Sequence, residues 1–196
     1  MKKKSGLGHT FKTCCQSVFG ASLLSACSVM PPADFPREES VNVERYMGAW
    51  YVIAHIPPKT TRNAYNAVER YKLSDNGRID TVYTYREGGF DGEQKVMRPT
   101  GFIIEQGNGA VWGMQFVWPI KMEYTIAYVD PEYQHTIVAR SRRDWVWIMS
   151  RTPQMDETLY QRMVKRVHDL GYDWRKLRRM PQQPLSQRDD LIPPAE

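Results

Sequence analysis

Between residues 50 and 151, apolar side chains return at every second position in a series of short runs. That period belongs to half-buried β-strands, whose side chains point alternately to two faces. The runs cover residues 50–55, a stretch closing on Tyr71 and Leu73, then residues 79–85, 94–105, 112–118, 124–128, 137–139 and 145–151. Turn chemistry separates them: Asp75-Asn76-Gly77, Gly88-Gly89, Asp91-Gly92, Gly107-Asn108-Gly109, Pro119 and Asp130-Pro131. Asn and Gly tolerate the positive φ of a tight turn, so Asp-Asn-Gly between two alternating runs predicts a hairpin. Eight strands at regular spacing predict an antiparallel sandwich or barrel.

One segment changes period. Leu159, Met163, Val167 and Leu170 form a helical stripe. Asp156 and Glu157 sit at its start, where the helix dipole favours acids, and Gly171 suits its C-terminal cap. Arg162, Lys165 and Arg166 fall on the solvated face. A single amphipathic helix after eight strands suits a barrel with a helix packed on its wall.

The folded core is expected at residues 42–177. Residues 27–41, with Pro31, Pro32 and Pro36, read as a flexible tether. Residues 178–196, rich in Pro and Gln, read as a disordered tail. Residues 1–26 have the form of a secretory signal, with Lys2, Lys3, Lys4 and Lys12 ahead of a short apolar stretch. That stretch is too short to span a bilayer, which takes roughly 20 apolar residues. The signal ends in Leu24-Ser25-Ala26-Cys27, which resembles the bacterial lipobox. The resemblance implies cleavage after Ala26 and acylation of Cys27, palmitate among the chains, on its thiol and amine. More than one acyl chain gives stable anchoring where one is marginal.

Processing at that point alters two other readings. The chain has three cysteines, and Cys14 and Cys15 leave with the signal. With Cys27 blocked by lipid, the mature domain has no thiol and no disulfide. The net charge is +5, but the signal carries four lysines and no acid, which leaves +1. The basic balance belongs to the signal and is no argument for nucleic acid.

Candidate chemistry is confined to the strands' inner face. Tyr83, Tyr85, Trp112, Met114, Phe116, Trp118, Tyr124 and Tyr128 share one phase, so a barrel would turn a large aromatic surface inward. Some would fill the core. Those toward an open end would line a ligand cavity, with phenol and indole groups as polar contacts. Glu69 shares the phase of Ala67, Tyr71 and Leu73. It either points inward, toward Arg98 or a cationic head group such as choline or ethanolamine, or a register shift leaves it in solvent. No catalytic constellation is visible. His55, His135 and His168 lie far apart without metal-ligand spacing, Ser141 and Ser150 lack a nucleophile elbow, and Asp130 reads as a turn residue.

Gly48-Ala49-Trp50 on the first strand and Arg151 ending the last resemble the lipocalin Gly-x-Trp signature and its C-terminal arginine. Residues 45–51 and 150–156, with Phe116-Val117-Trp118-Pro119 and Tyr160-Gln161-Arg162, are similar to bacterial outer-membrane lipocalins. The middle motif departs from the family's pattern, reading Tyr128-Val129-Asp130 with Tyr133 beyond. The resemblance implies an eight-stranded antiparallel up-and-down lipocalin barrel with one C-terminal helix on its wall, and Arg151 lying over Trp50. It also implies a non-enzymatic protein on the bacterial outer membrane, with no cofactor or metal. The implied ligand is a fatty acid or lysophospholipid, bound, stored or transported for envelope maintenance. A homodimer is left open. A lipocalin-fold enzyme acting on a lipid and a ligand-free envelope interaction protein are the alternatives.

Overall fold

The computed structural model describes residues 29–57 and 61–188. The expected signal peptide and Cys27 lie outside the described residues. A short helix α1 (Val43–Tyr46) precedes nine strands: β1 (Gly48–Ile56), β2 (Ala64–Leu73), β3 (Arg78–Glu87), β4 (Gln94–Met97), β5 (Thr100–Ile103), β6 (Val111–Val117), β7 (Ile120–Val129), β8 (His135–Ala139) and β9 (Val146–Ser150). Helix α2 (Glu157–Asp169) and a two-residue strand β10 (Arg178–Arg179) follow.

Neighbouring strands pair antiparallel, and β9 pairs back onto β1, so the sheet closes on itself. Closure leaves no long edge with unpaired backbone groups. β4 and β5 both pair with β3 and together make one stave of eight. The expected single strand over residues 94–105 is broken at Arg98-Pro99, since proline has no N–H for the ladder. Pro99 still accepts a bond from Thr81 N at 3.2 Å. Residues 105–107 turn as a short 3-10 helix instead of extending the strand.

Two apolar layers result. Inside the barrel lie Trp50, Val52, Tyr71, Ile79, Trp112, Met114, Tyr124 and Met149. Outside one wall, Ile137, Val146 and Ile148 pack against Tyr160, Met163 and Val167 of α2. The Asp156 carboxylate accepts from Leu159 N at 3.1 Å as the helix N-cap. Gly171 at φ +86° bonds back to His168 O, and a Cβ there would meet Arg143 Nε at 2.7 Å.

Both expected flexible ends are docked where they are described. The tail segment fills the place where β1 and β2 part. Arg178 and Arg179 pair with His55 and Ala54, and Met180 N bonds Ile53 O at 2.9 Å. Gln182 Nε2 donates to both Val52 O and Ala67 O at 2.8 Å, and Asn66 exchanges side-chain bonds with Gln183. Backbone groups of the barrel wall would otherwise lack partners, which is costly when they are buried. Thus residues 178–188 are ordered, against the expectation of a disordered tail. The expected tether is likewise seated from Val29 onward: Phe35 and Val41 are buried, and Glu38 N bonds Ile126 O at 3.1 Å.

Candidate ligand site in the barrel

The lower end of the barrel is sealed around Trp50. Gly48 holds φ +94°, and a Cβ there would sit 3.4 Å from an Arg151 nitrogen. The glycine therefore supplies both the turn and the room for the guanidinium. Arg151 lies 3.7 Å over the Trp50 ring. It donates to Ala49 O at 2.9 Å, Tyr133 O at 3.1 Å, Arg45 O at 2.9 Å and Tyr46 O at 3.2 Å. Asp130 shapes the adjoining loop, accepting from Glu132 N at 3.0 Å and Gln134 N at 3.2 Å. The departure from the usual middle motif thus still yields a closing loop.

Above this seal the polar atoms of the floor satisfy one another. Trp50 Nε1 donates to Tyr46 O and Trp112 Nε1 to Gly109 O, both at 2.8 Å. A hydroxyl chain runs from Thr136 through Tyr46 (3.2 Å) and Tyr124 (3.5 Å) to Tyr71 (2.5 Å). Tyr71 also hydrogen-bonds Glu69. Burial raises Tyr46, Tyr71 and Tyr124 above the ordinary phenol range, so all three stay protonated donors.

Glu69 points inward and is 1% exposed. Its register partners Trp50 and Tyr83 share its face, as cross-strand neighbours do. Burial pushes its carboxyl up to about 8, against the lowering effect of the Tyr71 bond. The alternative of a solvent position is therefore overturned, and so is Arg98 as partner, because Arg98 is exposed. One carboxyl oxygen has no hydrogen-bond partner among the described residues. The same holds for Tyr83 Oη, Trp147 Nε1, Thr81 Oγ1 and both nitrogens of His55. Register puts these on the inner face too: Thr81 opposite Tyr71, and His55 opposite Trp147. Burial, then the nearby Arg178 charge, lowers His55 to about 4, so it is neutral.

The interior therefore has two sides. The adjacent staves β9, β1, β2 and β3 carry the unpaired polar atoms. The opposing staves β6 and β7 present Met114 with Trp112 and Tyr124, the two rings stacked 5.0 Å apart. Tyr83 stacks on Trp147 at 5.4 Å, and Tyr85 and Trp145 adjoin that pair. His55, Thr81 and Trp147 were missed in the sequence. Trp147 alternates visibly with Trp145 and Met149, but a bulge between Val52 and Ala54 conceals the phase of His55.

Three expected lining residues lie elsewhere. A register shift between Ile126 and Tyr128 turns Tyr128 outward, where Arg166 of α2 covers its ring at 3.9 Å. A shift between Met114 and Val117 breaks the phase of β6, and Phe116 and Trp118 stand exposed on the hairpin tip. Tyr83, Tyr85, Trp112, Met114 and Tyr124 are buried in the inner cluster. No group of three or more His, Cys, Asp or Glu suited to a metal occurs among the described residues.

A closed eight-stave barrel, sealed at one end by an arginine over a tryptophan and followed by a helix on its wall, is a lipocalin. The chain belongs to that family: the lipocalin-like domain matches residues 41–182. Lipocalins bind small hydrophobic molecules. Temperature-induced lipocalin-1 of Arabidopsis thaliana is 29% identical, covering 79% of this chain and 87% of its own length. The outer membrane lipoprotein Blc of Citrobacter freundii is 27% identical, covering 82% and 91%. Among solved structures, insecticyanin of the tobacco hornworm Manduca sexta superposes with a TM-score of 0.61 at 14% identity, covering 79% and 87%. That last likeness is one of fold.

Proposed function

We propose that this lipocalin binds a single-chain amphiphile, a fatty acid or lysophospholipid, and stores or carries it in the bacterial envelope. The two-sided interior carries this reading. An acyl chain packs against Trp112, Met114 and Tyr124, while the polar head supplies partners to Glu69, Tyr83 and Trp147. A buried polar atom left unpaired costs about 1–3 kcal/mol, so a head group that satisfies several gains affinity and orientation together. Because Glu69 is held neutral, its carboxyl donates to a fatty-acid carboxylate. The amine of an ethanolamine head would instead ionise it. The aromatic rings touch across the interior, so the ligand parts the Tyr83–Trp147 stack as it enters. Cys27 is the acyl anchor, and residues 1–26 are the cleaved leader. Likeness to the Blc lipoproteins supports an outer-membrane location.

Native mass spectrometry of protein purified from membranes tests the reading. The expected spectrum carries a bound lipid of one acyl chain. A second reading, an interaction protein with a self-filled barrel, draws on the same ring contacts; a spectrum of bare protein before and after incubation with lysophospholipid would favour it.

A further inference from the structure

The tip of the β6–β7 hairpin concentrates exposed apolar surface. Of the seven large apolar side chains exposed among the described residues, four fall within residues 116–120. Phe116 is 42% exposed, Val117 68%, Trp118 82% and Ile120 63%. Pro119 joins them, and Lys121 follows with its ammonium 3.7 Å over the Phe102 ring. Scattered apolar residues on a surface are ordinary, whereas a contiguous group marks an interaction site.

The course of the N-terminal segment says what the tip meets. Val41 N bonds Asn108 O at the sealed end. The Glu38 carboxylate accepts from Val129 N at 3.0 Å, and Glu38 N bonds Ile126 O. Val29 packs over Gly113 beside Lys121, its Cγ1 3.3 Å from where a Cβ on Gly113 would lie. Traced backwards, the segment climbs the outside of β6 and β7 from the floor toward the hairpin tip. In sequence Cys27 precedes Val29 by two positions, a chain length of about 8 Å at most. Seating of the segment from Val29 onward leaves only that short length between the barrel wall and the proposed attachment point.

We propose that residues 116–120 seat in the bilayer that holds the Cys27 acyl chains, so that the barrel mouth faces lipid. The proposal rests in part on the anchor proposed above. The indole of Trp118 suits the interface, where an apolar body and a polar edge are both accommodated. Five residues on a convex tip fit a lipid surface better than a second copy of the chain, since a stable dimer buries about 800 Å² on each partner. A single-chain lipid then passes between bilayer and barrel without crossing bulk water.

The test is an environment-sensitive fluorophore on Trp118→Cys in the acylated, processed protein, whose only free thiol is the introduced one. The control is Asp75→Cys, in the β2–β3 turn at the sealed end. Both are reconstituted in phosphatidylethanolamine–phosphatidylglycerol vesicles with and without brominated acyl chains. The expected result is a blue-shifted emission at 118 that brominated lipid strongly quenches, with position 75 unaffected by either. A water-like, unquenched signal at 118 overturns the proposal. A blue shift without bromine quenching also overturns it and places a second copy on the tip. Mass spectrometry of the N-terminal peptide reports the anchor separately. If Cys27 carries no acyl chain, the anchor reading fails, and the same quenching measured on Trp118→Cys with Cys14, Cys15 and Cys27 replaced by Ser still decides the tip.

Discussion

Arg151 reaches across the sealed end to Trp50, its guanidinium carbon 3.7 Å above the indole while its N–H groups serve four backbone carbonyls. One side chain thereby joins the end of the last stave to the start of the first and to α1. Ala49, Tyr46, Arg45 and Tyr133 are held by the same fork, a geometry that lysine's single ammonium does not reproduce.

Arg151→Ala is expected to lower the unfolding free energy by about 2–4 kcal/mol, from the lost cation–π contact and the carbonyls left without donors. Arg151→Lys should recover only part of that. Chemical denaturation of the two variants measures both, and an unchanged midpoint in the alanine variant would remove the seal from the account.

Glu69 predicts a pH dependence. Its carboxyl is raised to about 8 in the folded protein from 4.5. The folded state keeps a proton that the unfolded chain releases, so stability falls as pH rises through this window. His55 acts in the opposite sense, lowered to about 4 from 6.5, and takes stability away as pH falls through its own window. Above pH 6.5 only the Glu69 slope persists. At about 1.4 kcal/mol per unit, it amounts to about 2 kcal/mol lost by pH 8. Glu69→Gln should abolish that loss in denaturation midpoints compared at the two pH values, and equal slopes for both proteins would count against the buried acid.

The docked C-terminal segment carries a third expectation. A chain stopped after Leu177 loses the pairing at Ala54 and His55 and the Gln182 bonds to Val52 and Ala67. Stability should drop by about 2–4 kcal/mol, since several buried carbonyls and amides lose their partners. Amide exchange in the truncated chain should quicken first at Asn66, whose N–H loses its acceptor Pro181 O. Unaltered exchange and stability would mean that the segment contributes nothing.

Much of this architecture was legible in the alternation of residues 50–151, because a closed barrel with one buried face imposes period two on each stave. Gly48, Trp50 and Arg151 were legible as a set through their order. Bulges were not. The shifts at Ile126 and at Met114 each insert a residue that reverses the phase beyond them, and so Tyr128, Phe116 and Trp118 left the predicted lining. Nor did composition reveal the tail's role. Residues 178–188 attach largely through backbone groups and the amides of Gln182, Gln183 and Asn66, contacts that leave no hydrophobic pattern. Glu69 shared the inward phase of Ala67 and Tyr71, but the sequence left a solvent position open, and its burial was visible only in three dimensions.

The central claim is that the barrel takes a single acyl chain against Trp112 and Tyr124 with a polar head at Glu69, Tyr83 and Trp147. Tryptophan-fluorescence titration with fatty acids and lysophospholipids of increasing chain length tests it most directly. The account predicts saturable one-to-one quenching. Affinity should rise with each added methylene by up to roughly fourfold, from about 0.8 kcal/mol of burial, until the chain outgrows the barrel, and Tyr83→Phe should weaken binding while the fold persists. A flat response across the series, with neither quenching nor saturation, would show a self-filled barrel and contradict the account.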